Sequence, residues 1–559
     1  MSDRPFAWEK SYPPGIRWDA PIALSTVPAL LRESAAEFTD APAIEFRGRT
    51  ISYSDLLREA ELFGAALMRA GIGRGSALAL YLPNTPYHPF AFFGGALTGA
   101  RLVHLSPLDA ERELSHKLAD SGARVLVTTN LGGMYEKARA LLDAGLLDLL
   151  IVGDDGRFGP SPAPATAVAE GPRVASYATF TAGAEPPAAW PNVKPSDIAL
   201  LQYTGGTTGM PKGAILTHAN LTAAVSMYAA WFGGIPGDRT ERDRIICVLP
   251  LFHIYALTTI LLRGLKRGAE LLLRTRFDVE TTIRDIEERR ATHFPGVPTM
   301  WIALSTSPGI ETRDFSSLAY CGSGGAPLPV EVADRFERLT GHKLVGGWGM
   351  TETSPAGTNR LGAGPSKPGT IGLPLPGVEM DVCSLDDPRR VLPVGETGEL
   401  RIRGPNVTQG YWNRPEETAA SFADGWFLTG DIGHMDPDGF FFITDRKKDM
   451  IISGGYNVYP QMIEQAVYQH PAVEECLVVG IPDGYRGEAA KAFVKLRAGA
   501  APFTLEALQG FLADKVGRHE MPQSLEFRPA LPRTAVGKLS KVELRAEERA
   551  KAAEQRGAA

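Results

Sequence analysis

Helix-like and strand-like runs alternate along the first part of this chain, and that rhythm narrows its fold more than any other feature. Helical spacing of apolar residues covers 54–70, 87–98 and 114–121, and strand-like runs occupy 77–82, 101–105, 124–129 and 147–152. Such alternation predicts an open parallel sheet covered by helices on both faces. After residue 240 the rhythm returns, with strands at 244–250, 269–274 and 293–297 and helices at 257–267 and 279–290. A second α/β layer is expected. Residues 377–429 instead carry short apolar stretches between turn residues, the pattern of a small all-β unit. Residues 160–172, rich in Ala and Pro, read as a surface loop. The end of the chain reads as a separate small domain, with a helix at 461–469, strands at 476–479 and 492–496, and a helix at 505–516.

With 559 residues, the chain exceeds the size at which one core keeps growing, so more than one domain is expected. A net charge of −6 gives no electrostatic case for nucleic acid. Cys247, Cys321, Cys383 and Cys476 are far apart and form no Cys-x-x-Cys pair, which argues against a disulfide framework or a zinc site and fits a cytoplasmic location. No run approaches the roughly 20 apolar residues that span a bilayer, and the first 18 residues lack a signal-peptide pattern.

The candidate chemistry centres on Tyr203-Thr204-Gly205-Gly206-Thr207-Thr208-Gly209-Met210-Pro211-Lys212-Gly213, read as a loop between an apolar strand and a helix starting near Thr217. Glycines let backbone amides converge, threonines add hydroxyl donors and Lys212 adds a fixed positive charge, so the loop suits polyphosphate. It is not the ordinary P-loop, which requires Gly-Lys followed by Ser or Thr. Further strings follow in order: Leu249-Pro250-Leu251-Phe252-His253, Gly322-Ser323-Gly324-Gly325-Ala326-Pro327, Gly346-Gly347-Trp348-Gly349-Met350-Thr351-Glu352, Thr429-Gly430-Asp431, the charged, exposed-looking Asp445-Arg446-Lys447-Lys448-Asp449 leading to Ser453-Gly454-Gly455, and Gly537-Lys538-Leu539-Ser540-Lys541. Taken singly, each is most simply a turn or a solvated charge.

Taken together, they resemble the signatures of the adenylate-forming superfamily of acyl-CoA synthetases, luciferases and peptide-synthetase adenylation domains. The resemblance implies an α/β fold: a large N-terminal ATP- and acyl-binding domain (1–445) of two doubly wound α/β subdomains plus a small β-barrel, and a small mobile α+β domain (446–559) carrying the catalytic lysine. It implies ATP, Mg²⁺ and coenzyme A as cofactor and co-substrates. By the same resemblance Thr204, Gly205, Gly206, Thr207, Thr208, Gly209 and Lys212 take the ATP phosphates, and Gly324, Ala326, Pro327, Trp348, Gly349, Asp431 and Arg446 take adenine and ribose. Thr351, Glu352 and Lys538 are catalytic, with Glu352 also holding the metal. His253 and Gly347 border the acyl pocket, Lys448 is the hinge, Gly454 and Gly455 line the coenzyme A channel, and Lys541 is left on the surface. Trp348 stands where the family usually has tyrosine, so a stacking face is retained and a phenol is lost.

The implied activity is that of an AMP-forming acyl-CoA ligase acting on a medium- or long-chain fatty acid, an acid-thiol ligase. Residues 445–460 and 472–486 look most like bacterial medium- and long-chain fatty acyl-CoA ligases, including the dicarboxylate (pimeloyl) type. A dicarboxylate ligase needs a cation or several donors at the far end of its tunnel, and the sequence does not say which residue supplies it. The other readings kept open are an enzyme that loads a carrier protein and a non-catalytic acyl-binding regulator. Expected partners are small molecules and no nucleic acid; a homodimer and a transient, peripheral contact with the inner membrane face are the assemblies considered.

Overall fold

The computed structural model describes residues 5–161, 163–204, 211–233, 242–326, 328–360, 367–453, 456–483, 486–534 and 538–557. Two seven-stranded sheets dominate it. The first runs in the spatial order Val174–Ser176, Leu149–Gly153, Val125–Thr129, Ala77–Tyr81, Arg101–Leu105, Ile198–Thr204 and Lys212–Thr217. All its neighbours are parallel except the last pair. The strands Ala77–Tyr81 and Arg101–Leu105 are buried along nearly their whole length because helices cover both faces. The second sheet orders Leu344–Val345, Tyr320–Ser323, His293–Gly296, Arg244–Cys247, Glu270–Leu273, Pro42–Phe46 and Arg49–Ser52. Here too the connections are parallel except for one antiparallel edge, the hairpin of the last two strands.

Between the sheets lies a helical layer. Tyr87–Thr98 is buried at every position, as expected for a helix apolar all round. It packs with Val27–Phe38 and Tyr53–Arg69 in the largest apolar cluster. Downstream, Glu379–Cys383, Gly398–Arg403, Trp426–Met435, Phe422–Ala423 and Phe441–Arg446 form a five-stranded antiparallel sheet. The N-terminal segment is fastened to this region by Trp18, whose indole donates to Val378 O at 2.7 Å. The chain then changes sheets: Arg446 still pairs with Asp431, whereas Ile451–Ser453 belongs to a five-stranded C-terminal sheet with Tyr456–Val458, Gly487–Leu496, Val473–Asp483 and Ser524–Phe527. Pro460–Tyr468 and Leu505–Leu512 pack against that sheet. Among the described residues no helix is long and apolar enough to cross a membrane.

Three expectations are corrected. The segment after the glycine-rich loop is not directly a helix: Lys212–Thr217 returns as a strand antiparallel to Ile198–Thr204, and the helix begins at His218. The β-rich unit reaches Arg446 rather than ending near residue 429, because the strand Trp426–Met435 continues through Asp431 and is covered by Phe441–Arg446. Asp445 is buried rather than exposed; its carboxylate accepts the backbone N–H groups of Arg446 at 2.6 Å and Gln461 at 2.8 Å.

A buried ionic clasp locks the N-terminal hairpin into the second sheet. Arg274 lies 2.6 Å from Glu45 on the hairpin strand and 2.6 Å from Asp285 on the helix Val279–Glu287, and both carboxylates are nearly inaccessible. Removing the guanidinium leaves two uncompensated buried carboxylates, and breaking a buried pair in this way costs roughly 3–5 kcal/mol. Arg274→Met is expected to lower stability by about that amount, measured as a fall in the urea midpoint; an unchanged midpoint would contradict the clasp's role.

Candidate active site

One cleft of about 1360 Å³ gathers nearly every described residue singled out from sequence. Its walls come from the ends of both sheets, the five-stranded sheet, the crossing at 445–449 and the segment 533–545. Parallel sheets place ligands at the carboxyl ends of their strands, which is where Thr204, the loop after Cys247 and the loop after Ser323 lie.

The glycine-rich stretch is flanked by two antiparallel strands whose last cross-strand pair is Thr204 with Lys212. Gly205, Gly206, Thr207, Thr208 and Gly209 lie outside the described residues, as do Pro327, Gly454 and Gly455. Lys212 Nζ sits 5.4 Å from the centroid of the Tyr411 ring, and the Tyr411 hydroxyl donates to Glu352 Oε1 at 2.8 Å. A single tyrosine thus joins the base of the hairpin to the carboxylate expected to hold a metal. Glu352 is 5% exposed, and burial raises its carboxyl above the usual range, against the Tyr411 hydrogen bond that lowers it. Thr351 precedes it in the same short helical turn, Thr351–Thr353, and also lines the cleft.

Gly347–Trp348 forms a short strand paired with Thr358–Asn359. A Cβ at Gly347 would lie 2.0 Å from Thr358 O, so the strand reaches this close approach only with glycine there. Trp348 is nearly buried, and its indole Nε1–H donates to Asp431 Oδ2 at 2.7 Å. The other carboxylate oxygen, Oδ1, lies 3.0 Å from Arg446 Nε. A carboxylate offers about four lone-pair sites, so Asp431 keeps acceptor capacity after both contacts. The tryptophan that stands where the family usually has tyrosine thus orients Asp431 through its indole N–H. Gly324, Ala326 and Gly349 line the same cleft.

The C-terminal segment delivers Lys538 into this space. Gly325 has φ +80°, and a Cβ there would come within 2.6 Å of Lys538 Cε, so the lysine stem lies directly on the glycine backbone. Burial and the nearby Arg446 charge lower the Lys538 pKa to about 8. His253 is near enough to feel the ammonium: burial first, then Lys538, pushes its imidazole down to about 3. His253 Nδ1 accepts the Tyr255 backbone N–H at 3.2 Å, which places the single ring proton on Nε2. The loop carrying His253 follows the strand Arg244–Cys247 of the second sheet and is hydrogen-bonded from the first. Asn84 donates to Leu249 O at 2.9 Å and accepts from Leu251 N at 2.8 Å, and Gln202 donates to Phe252 O at 2.9 Å.

Lys448 also lines the cleft, at the crossing between sheets. Its carbonyl accepts from Arg545 Nη1 at 3.2 Å, and Arg545 also pairs with Asp449. Lys541 is not a surface residue: its ammonium lies 2.9 Å from Glu464, both side chains are largely enclosed, and burial raises Glu464 to about 6 despite that partner. Tyr411, Asn84 and Gln202 were not singled out from sequence. Each is an ordinary polar residue that acquires its role through a partner at least 50 residues away.

Comparison with known proteins agrees with this arrangement. The profile of the "AMP-binding enzyme" family matches residues 31–412, and that of the "AMP-binding enzyme C-terminal domain" matches 462–538. A long-chain-fatty-acid–CoA ligase of Bacillus subtilis (strain 168) is 39% identical over 97% of this chain and 98% of its own length. Among solved structures, the ATP-bound MatB of Rhodopseudomonas palustris superposes with a TM-score of 0.82 at 28% identity, over 93% of this chain and 98% of its own. The anthranilate CoA ligase AuaEII with anthranoyl-AMP gives 0.84 at 25% identity, over 96% and 99%. With a family profile covering most of its length and a relative of this identity matched nearly end to end, the chain belongs to the AMP-binding enzyme family, the adenylate-forming group its motifs resemble.

Proposed function

We propose that this protein is an AMP-forming acyl-CoA ligase that activates a medium- or long-chain carboxylic acid with ATP to an acyl-adenylate and then transfers the acyl group to coenzyme A. The observation that carries this reading is the seating of Lys538 against Gly325, beside His253, in the cleft that also holds Glu352, Trp348 and Arg446, the last two being the partners of Asp431. A carboxylate is a poor electrophile and must first attack the α-phosphorus of ATP. Two anions then share one site, and preorganised positive charge and donors are the physical remedy. Lys538 would stand between them. Lys212 and Thr204 would face the departing pyrophosphate, Thr351 the α-phosphate, Trp348 the base, and Asp431 the ribose hydroxyls. Neutral His253, with its proton on Nε2, would offer a donor at the mouth of the acyl pocket bordered by Gly347.

The residues also fit Mg²⁺. Among the described residues no group of three or more His, Cys, Asp or Glu side chains could hold a metal, yet Glu352 presents a buried carboxylate with only one oxygen engaged by Tyr411. Mg²⁺ commonly takes one or two carboxylates and completes its shell with phosphate oxygens and water. When bound, it would supply charge neutralisation on the triphosphate. Thiolysis needs no ammonium at the position of Lys538, so the C-terminal domain is proposed to turn about Lys448, withdrawing Lys538 and bringing Gly454 and Gly455 to the thiol path.

Lys538→Ala is therefore expected to slow adenylate formation by ~10²–10³ while leaving thiolysis of supplied acyl-AMP by coenzyme A within a few-fold. Equal loss in both half-reactions would contradict the assignment, and acyl transfer to a carrier protein without use of coenzyme A would favour the carrier-loading alternative. Because burial and the Arg446 charge lower the Lys538 pKa to about 8, kcat/KM for adenylation should fall as pH rises through that value, where the charged form is lost. An inflection near pH 6.5 would instead implicate an ordinary histidine. Trp348→Phe keeps an aromatic face but removes the donor to Asp431. A hydrogen bond to a charged group contributes ~1.5–3 kcal/mol, so KM for ATP should rise by about tenfold or more with kcat little changed; an unaltered KM would show that the indole N–H plays no part.

A further inference from the structure

A buried cation, Arg263, lines the cleft. Tyr255, Thr259 and Arg263 are spaced four residues apart, and all three line the cleft on one helical stretch, π-helical over Ala256–Leu262 and α-helical over Arg263–Lys266. About two helical turns separate Tyr255 from Arg263, a usable depth for an aliphatic chain.

Arg263 is only 7% exposed. Its Nε is sealed from solvent with no hydrogen-bond acceptor, and among the described residues the guanidinium forms neither an ion pair nor a hydrogen bond. Its one recorded contact of note is the Phe232 ring, whose centroid lies 4.4 Å from Cζ. Asp243, the only carboxylate among the groups whose charge is felt at Arg263, is shared with Arg267 at 3.6 Å and His293 at 3.7 Å. The phenols of Tyr228, Tyr255 and Tyr320 line the same region of the cleft. Burial raises their pKa values, so they remain neutral hydroxyls at physiological pH.

An unpaired buried cation is costly, and a hydrocarbon terminus placed against it would seal it further from water. A carboxylate would instead meet a planar donor fork that it can engage bidentately, with phenol donors nearby. We propose that Arg263 is a specificity-determining residue at the base of the acyl pocket, where it receives the second carboxylate of an α,ω-dicarboxylic acid. The inference rests on the acyl-CoA ligase reading and gives that reading its substrate class. The carboxylate activated at Lys538 and the one held at Arg263 occupy opposite ends of one chain, so the distance between the two cations sets the preferred length.

The test compares coenzyme A-dependent AMP release with monocarboxylic and α,ω-dicarboxylic acids of six to sixteen carbons, in the wild type and in Arg263→Leu and Arg263→Lys. At matched carbon number the wild type should favour the diacid by about tenfold or more in kcat/KM, in line with a charge-assisted contact. Arg263→Leu should reverse that preference, raising KM for diacids and improving kcat/KM for monoacids, and Arg263→Lys should recover part of the diacid activity. A wild type that prefers monoacids at every length would overturn the inference without any variant, as would an Arg263→Leu enzyme in which both series change in parallel. Failure of every acid to support AMP release in the wild type would overturn the ligase reading itself, and this inference with it.

Discussion

The ammonium of Lys538, half-buried against the backbone of Gly325, is the contact on which the rest of the site depends. A lysine resists such desolvation, and the lowering of its pKa to about 8 measures that resistance. The position persists because the C-terminal segment is tied back to the crossing between domains. Arg545 grips Lys448 O and Asp449, Lys541 pairs with Glu464, and Asp445 caps the start of the helix Pro460–Tyr468 through Gln461 N. Each anchor lies within a few residues of Lys538 in the chain or of Lys448 at the crossing, so a rotation there would carry the lysine with it.

On the opposite wall, polar groups are arranged in linked pairs rather than singly. Tyr411 connects Lys212 with Glu352, and Asp431 is oriented by Trp348 on one oxygen and Arg446 on the other. Preorganisation of this kind lets donors and charges act without reorganising at the moment of reaction. It also ties Trp348 to the five-stranded sheet, which supplies both Asp431 and Arg446.

Much of this was legible in the sequence because the motifs are local. Helix and strand periodicity located Tyr87–Thr98 and Arg101–Leu105 to the residue, and the contiguous strings containing Trp348, Asp431 and Lys538 pointed to one site. What stayed hidden was non-local. The hairpin Pro42–Phe46 and Arg49–Ser52 completes the second sheet by pairing with Glu270–Leu273, more than 200 residues on, and no local pattern announces such a partner. Lys212–Thr217 was missed because its short apolar run merges with the helix that follows. Lys541 reads as a surface charge in the sequence, whereas Glu464 covers it, and nothing within the helical run 257–267 sets Arg263 apart as a residue that lines the cleft.

The account stands or falls on whether the cleft forms an acyl-adenylate before any thiol takes part. Exchange of labelled pyrophosphate into ATP, measured with a carboxylic acid and Mg²⁺ but without coenzyme A, tests this most directly. The account predicts rapid, acid-dependent exchange, with coenzyme A needed only for release of the thioester. Exchange that required coenzyme A, or that proceeded equally well without acid, would contradict it.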